Sequence, residues 1–179
     1  MIRKGQMLKE YMLLCVIGVL TFAVYGCMGA VKHKADFDPA FLPNSGTRVE
    51  VGTVTNDTGD VYDIDITTMF MNALNKTLDE KKLLWTGESG GNHIIITSKV
   101  IEYDKGSAFK RWLAPGWGST VLSVHCEITE SSSKKNIGSI DTRRTVSIGG
   151  GFSVDAWKTI FADVAQDVVK ELRSKIPSK

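Results

Sequence analysis

Cysteine is scarce in this sequence of 179 residues, and its three cysteines do not suggest a disulfide framework. Cys15 lies inside an apolar run near the N-terminus, Cys27 follows that run, and Cys126 stands alone far along the chain. The three histidines are also far apart, and neither Cys-x-x-Cys nor His-Glu-x-x-His occurs. We therefore expect no disulfide, no metal centre and no cofactor.

An excess of charge of one sign is missing as well. The chain has 22 Lys and Arg residues against 20 Asp and Glu residues, a formal charge of +2. Arg3, Lys4, Lys9 and Glu10 all precede Cys27, so the remainder of the chain is electrically neutral. Because nucleic acids are bound through basic surfaces, we expect no nucleic-acid partner.

Motifs that are typical of catalytic and nucleotide-binding sites are also lacking. No Gly-x-Ser-x-Gly nucleophile elbow occurs, and the glycines at 149–151 are not followed by the Lys-Ser/Thr of a P-loop. Ser119 and His125 are six residues apart along one extended segment, which separates them by roughly 20 Å. We expect that the protein has no catalytic residues and is not an enzyme.

Long apolar runs are limited to one, Met12–Val24, which has thirteen residues. As a helix it would reach roughly 20 Å, which is shorter than the ~30 Å hydrocarbon core of a bilayer. An export signal needs only about 7 to 15 apolar residues after a basic leader, which Arg3, Lys4 and Lys9 provide here. The pattern predicts a signal peptide over residues 1–26 rather than a membrane-spanning helix.

The residues that close this run, Val24-Tyr25-Gly26-Cys27, resemble the lipobox of bacterial lipoproteins. The resemblance implies that Cys27 receives a diacylglycerol, that the chain is cut before it, and that the new amino group is acylated. Two or more acyl chains hold a protein stably on a bilayer. Met28, which is not aspartate, implies an outer-membrane location facing the periplasm. The alternatives are ordinary cleavage that leaves Cys27 as a free thiol, an uncleaved membrane anchor, or an incidental cysteine.

The rest of the chain divides into a tether and one domain. Residues 27–46 show no sustained period, and Pro39 and Pro43 interrupt regular structure, so we predict a flexible, lipid-attached tether with His33 in solvent. Residues 47–179 predict a single α+β domain. Its mostly antiparallel sheet of about four strands carries two helices on one face, in the order β-α-β-β-β-α.

Alternation of apolar and polar residues identifies the strands, and a 3.6-residue period identifies the helices. In the segment TVLSVHCEIT, Cys126 shares the apolar face, which predicts a buried thiol, whereas His125 lies beside Glu127 on the exposed face. The predicted strands are 48–54, 93–103, 120–129 and 137–148, and the predicted helices are 62–81 and 154–175.

The loop FKRWLAPGWGS, residues 109–119, combines aromatic residues with cations and glycines. Aromatic residues and arginine dominate binding hot spots, and glycines allow close packing or a positive φ. The loop is either a binding site or a hydrophobic plug between two strands, with an arginine stacked on a tryptophan. The candidate residues are Arg111, Trp112, Gly116, Trp117 and Gly118.

This loop, the strand TVLSVHCEIT, a polar turn and GSIDTRRTV together resemble uncharacterised bacterial lipoproteins that carry the domain of unknown function 4410. The likeness runs from about Arg48 to Lys175. Arg111, Gly116 and Gly118 match the family's motif, most simply as parts of its architecture. The resemblance implies no activity, because the family has none established.

We expect a lipid-anchored, non-catalytic periplasmic module that reaches the membrane through acyl chains on Cys27 and binds another envelope component. One alternative is a cell-envelope hydrolase whose active site is assembled from residues distant in sequence, for which His125 near Glu127 is the candidate. Another is a lipid carrier with an apolar groove between its sheet and helices.

Overall fold

The computed structural model describes residues 30–87, 93–114, 117–147 and 155–177. For Arg111 it describes the backbone but not the side chain. The predicted signal peptide, Cys27, Gly116 and the glycines at 149–151 lie outside the described residues.

Five strands and three helices make up the described part of the chain. The strands are β1 (Ala30–Phe37), β2 (Arg48–Asn56), β3 (His93–Asp104), β4 (Thr120–Glu130) and β5 (Asn136–Val146), and the helices are α1 (Ile66–Glu80), α2 (Ala108–Leu113) and α3 (Ala156–Lys175).

The strands form one sheet in the order β1-β5-β4-β3-β2. Neighbouring strands are antiparallel except β2 and β3, which are parallel and are connected through α1, as a crossover requires. The predicted α+β class and the order β-α-β-β-β-α, which runs from β2 to α3, are confirmed. The sheet has five strands instead of about four because β1 adds one at the edge.

Strand β1 corrects the prediction of a tether over residues 27–46. It pairs with β5 along its whole length, and the irregular connection begins only after Phe37. His33 is exposed, as predicted, but it belongs to β1 instead of a tether, and its Nε2 lies 3.2 Å from Oε1 of Glu171 on α3. An edge strand needs little apolar alternation, so the hydrophobic period did not reveal β1.

Helices α1 and α3 pack on one face of the sheet and enclose the core, as predicted. Side chains from the helices and from the central strands fill the space between the two layers. This arrangement is a packed core, and it differs from the groove that a lipid carrier needs. The largest fully buried side chains are Phe70, Leu74, Leu78, Leu83, Ile94, Ile96, Leu122, Ile128, Ile140, Ile160, Phe161 and Leu172.

An ion pair helps to fix α3 on the sheet. Nη2 of Arg144, on β5, lies 2.8 Å from Oδ1 of Asp167, and its Nε bonds the other carboxylate oxygen. Asp163 lies one helical turn earlier, 3.8 Å from the same guanidinium, and burial raises its pKa. In the described ranges no helix has the length and apolar character that crossing a membrane requires.

Candidate functional site

Helix α2 occupies the loop that the sequence singled out. Ser107 caps its start, because its Oγ accepts a hydrogen bond from the Lys110 N–H at 3.3 Å. The Trp117 N–H donates to the Ala114 carbonyl at 3.1 Å, and the Ser107 N–H donates to the Gly118 carbonyl at 2.8 Å. The two ends of the loop are therefore joined, and α2 projects from a closed base.

Gly118 belongs to this base for a structural reason. Its φ is +60°, a conformation that glycine adopts without strain. A Cβ there would lie 2.8 Å from Cβ of Lys110 and 2.9 Å from the Ser107 carbonyl oxygen. Gly118, one of the predicted candidate residues, therefore has a structural role, because a side chain at this position would not fit the closed base of the loop.

The aromatic side chains of this loop point outward. Phe109, Trp112, Leu113 and Trp117 are 53–68% exposed, and the rings of Phe109 and Trp112 stack at 6.3 Å between centroids. We call these four residues the aromatic surface. A hydrophobic plug between strands would bury these side chains, whereas here all four are more than half exposed.

The aromatic surface lies at one end of the sheet, which we call the aromatic end. Strand β3 ends there at Asp104, and β4 begins there at Thr120, opposite Val146 at the end of β5. Strand β1 also begins there, because Ala30 lies opposite Thr145. The start of β1 and the return of the loop into β4 are thus separated by one strand, β5.

Other exposed apolar side chains gather near the same end. Val31 is the second residue of β1, which begins at this end, and Ile101 lies in the last third of β3, which finishes there. Val61 follows the end of β2, and β2 runs parallel to β3 toward the same end. Val61 is 99% exposed. Among the exposed large apolar residues that the structure describes, Leu42 belongs to the connection at the opposite end. Exposed apolar area is therefore concentrated at the aromatic end.

The connections at this end are fastened to each other. The Tyr62 hydroxyl donates to the Tyr103 carbonyl at 3.1 Å, and Nζ of Lys105 lies 2.9 Å from Oδ2 of Asp63. The hydrogen bond from Lys105 lowers the pKa of Asp63. The same ammonium lies 4.8 Å from the ring centroid of Trp157. These contacts hold the connection after β2 beside the base of the loop.

A second candidate lies on the sheet face that the helices leave uncovered. Nδ1 of His125 lies 2.7 Å from Oδ1 of Asp141, and its Nε2 lies 3.7 Å from Oε1 of Glu127. Nζ of Lys99 lies 3.2 Å from the same Glu127 oxygen. The predicted position of His125 beside Glu127 is confirmed. Each ring nitrogen of His125 thus faces a carboxylate, and with Lys99 these side chains form a polar network on the uncovered face.

An additional ion pair extends this polar face toward the aromatic end. Arg143 holds Glu102 with two hydrogen bonds, from Nε at 2.7 Å and from Nη2 at 3.0 Å. The bond from Arg143 lowers the pKa of Glu102. These charged side chains satisfy one another, which is typical of a solvated sheet face.

Cys126 is a core residue, as the alternation predicted. Its side chain is fully buried, and the Ser98 hydroxyl donates to its Sγ at 3.3 Å. Burial raises the pKa of the thiol to about 12, so the thiol stays protonated at neutral pH. Across the described ranges, no three His, Cys, Asp or Glu side chains are close enough to hold a metal ion.

A surface pocket at the end opposite the aromatic surface was not predicted from the sequence. It has a volume of about 430 Å³ and is lined by the connection after β1, the start of β3 and the turn after β4. Lys135 and Asp38 both line it, and Nζ of Lys135 lies 2.6 Å from Oδ2 of Asp38. The connection after β1 was predicted to be part of a flexible tether, so no pocket was expected there.

The comparisons with known proteins agree with this architecture. Residues 61–150 match the family model of the domain of unknown function DUF4410. The chain belongs to this family. The matched segment contains α1, the aromatic surface and the three central strands β3, β4 and β5. No curated protein matches the sequence.

Similar solved structures include the PelC dodecamer from Paraburkholderia phytofirmans in two crystal forms. One has a TM-score of 0.56 at 15% identity and covers 84% of this chain and 100% of that chain. The other, of a PelC variant, has a TM-score of 0.54 at 18% identity and covers 82% and 98%. A hypothetical protein, CT253 from Chlamydia trachomatis, has a TM-score of 0.48 at 10% identity and covers 73% and 97%. At these identities the PelC likeness shows a shared fold alone.

Proposed function

We propose that this DUF4410 protein is a lipid-anchored module of the bacterial envelope that binds or helps to assemble another envelope component and catalyses no reaction. The observation that carries this proposal is the aromatic surface, which exposes four large apolar side chains on a loop with a closed base. Exposed apolar clusters with aromatic residues mark interaction surfaces. The lipobox resemblance at Cys27 supports the anchor.

The proposed location is the outer membrane, with the domain facing the periplasm. The test is separation of inner and outer membranes by density from bacteria that make the full chain. We expect the wild-type chain and a Cys126→Ala control in the outer-membrane fraction, and Cys27→Ala in the soluble fraction. Recovery of Cys27→Ala in the outer membrane would contradict a lipid anchor at Cys27.

A second copy of the chain is the first partner to test. The shared fold with PelC, whose structures are described as dodecamers, supports self-association. Within the described ranges, β1 and β2 are the edge strands of the sheet, and the outer edge of β2 is bonded only at Val49, by Leu83 and Trp85, so both edges offer backbone groups for pairing. Light scattering on the detergent-solubilised full chain should give the mass of several copies, and the mass of a single copy would contradict self-association.

An envelope hydrolase is the second candidate, favoured by the 2.7 Å contact between His125 and Asp141. If His125 were a general base, His125→Gln would abolish hydrolysis of envelope material while leaving the fold intact. Under the proposal of a non-catalytic module, the wild-type chain and His125→Gln release no product from isolated cell wall or membrane lipid. Release by the wild-type chain alone would favour the hydrolase.

A further inference from the structure

We infer that the aromatic end of the sheet rests on the lipid surface, with the aromatic surface inserted at the level of the headgroups. The inference depends on the proposed function, because it uses the lipid anchor at Cys27. It adds the bilayer itself as the ligand of the aromatic surface and fixes which end of the domain faces the membrane.

The chain between the anchor and the sheet is short. Cys27 precedes Ala30, the first residue of β1, by three residues. Three extended residues span at most about 10 Å. A flexible tether of twenty residues would let the domain move far from the membrane, whereas this connection holds the start of β1 close to it.

The sheet topology places the start of β1 near the aromatic surface. Strand β1 begins at the aromatic end and is separated from β4, where the loop returns to the sheet, by β5 alone. At about 4.8 Å between neighbouring strands, β1 and β4 are roughly 10 Å apart. The anchor and the aromatic surface therefore belong to the same end of the domain, and an anchor at Cys27 brings that end against the bilayer.

The residues of the aromatic surface suit the membrane–water interface. Tryptophan is enriched where membrane meets water, because its ring is apolar and its N–H remains able to bind polar groups. Trp112 and Trp117 are 68% and 64% exposed and are accompanied by Phe109 and Leu113. Lys110, exposed on the same helix, can contact anionic headgroups. The acyl chains supply the anchorage, and the aromatic surface sets the orientation.

A protein partner on this surface is the competing occupant. The short connection favours lipid, since a partner would have to fit between the bilayer and an end of the domain held within about 10 Å of its anchor. Val31 and Val61, which are exposed near the same end, extend the apolar area beyond the loop, as contact with a flat bilayer requires.

The experiment uses the full, acylated chain in vesicles of phosphatidylethanolamine and phosphatidylglycerol whose acyl chains carry bromine near the headgroup end. Bromine quenches tryptophan emission only at short range. We expect a loss of emission relative to unbrominated vesicles. Trp112→Phe with Trp117→Phe should remove most of that loss. Substitution of these exposed side chains leaves the core unchanged.

The matched control is Trp85→Phe. Trp85 stacks on His93 at the start of β3, at the opposite end of the sheet, and its buried Nε1 has no hydrogen-bond partner among the residues that the structure describes. Its replacement should leave the bromine-dependent loss intact. An equal loss of emission in the Trp112 and Trp117 double variant, or no loss of emission in the wild-type chain, would overturn the inference. The wild-type chain would also show no loss if another protein copy covered the surface, and that result overturns the inference too.

Flotation of the vesicles separates this inference from the proposed function. A chain that floats with the vesicles through acylated Cys27 but shows no bromine-dependent loss contradicts the orientation alone. A chain that carries no acyl group and does not float contradicts the anchor, and the orientation fails with it.

Discussion

At the scale of the residue, Asp65 shows how local hydrogen bonds set a side chain's charge. Its carboxylate caps α1 by accepting the Thr68 N–H at 3.0 Å, and it also accepts the hydroxyls of Thr67 and Thr68, each at 2.6 Å. These bonds, led by that from the Thr67 hydroxyl, lower the pKa of Asp65 to about 2. The charged form is thus favoured in the folded state.

This predicts a pH-dependent effect of Asp65→Ala. The folded pKa lies below the unfolded value of about 3.9, so the stabilisation by the charged cap is present above pH ~4 and is lost as pH falls toward about 2. Asp65→Ala should unfold at a lower temperature than the wild type at neutral pH, and the difference should narrow over that acid range. Thermal unfolding at several pH values, followed by circular dichroism, measures this difference in unfolding temperature.

Asp65→Asn is the control, because asparagine can still accept the Thr68 N–H but carries no charge. It should be more stable than Asp65→Ala at neutral pH. A difference between Asp65→Ala and the wild type that stays constant from neutral pH to pH ~2 would show that the charge of Asp65 does not stabilise the fold.

At the scale of the element, the alternation of apolar and polar residues predicted four strands, and the 3.6-residue period predicted two long helices, all within a few residues of their observed bounds. Cys126 in the core and His125 on the open face follow from that period. Two elements were not predicted. Strand β1 is an edge strand with mostly exposed side chains, and α2 has only six residues, too few to show a helical period.

The pairing of β1 with β5 predicts the effect of Gly138→Ala. A Cβ on Gly138 would lie 2.6 Å from the Asp36 carbonyl oxygen and 2.7 Å from Cδ1 of Phe37, both on β1. Because a backbone atom cannot move aside as a side chain can, we expect a loss of about 1–3 kcal/mol in the free energy of unfolding. Urea denaturation measures this loss.

Ser139→Ala, at the next residue of β5, is the matched control, and its effect on stability should be small. Trypsin provides a second reading, because β1 contains Lys32 and Lys34. Gly138→Ala should be cut there faster than the control. Equal stability and equal cleavage of the two variants would mean that β1 does not pair with β5 in solution.

At the scale of the whole molecule, the position of β1 changes how an anchor at Cys27 would act. The sequence predicted a tether of residues 27–46 that would separate domain and membrane, whereas β1 begins at Ala30 and is part of the sheet. The exposure of the aromatic side chains could not be predicted from the sequence either, because the same residue types suit a buried hydrophobic plug equally well. Both features arise from contacts between segments distant in sequence, which periodicity does not record.

The measurement that tests the lipid anchor most directly is the intact mass of the full chain extracted from bacterial membranes, beside Cys27→Ala and Cys126→Ala. We predict a chain that starts at Cys27 and carries added acyl mass. Cys126→Ala should keep that mass, and Cys27→Ala should lose it. An unmodified chain, or an acyl mass that persists in Cys27→Ala, would contradict the account of a lipid-anchored envelope module.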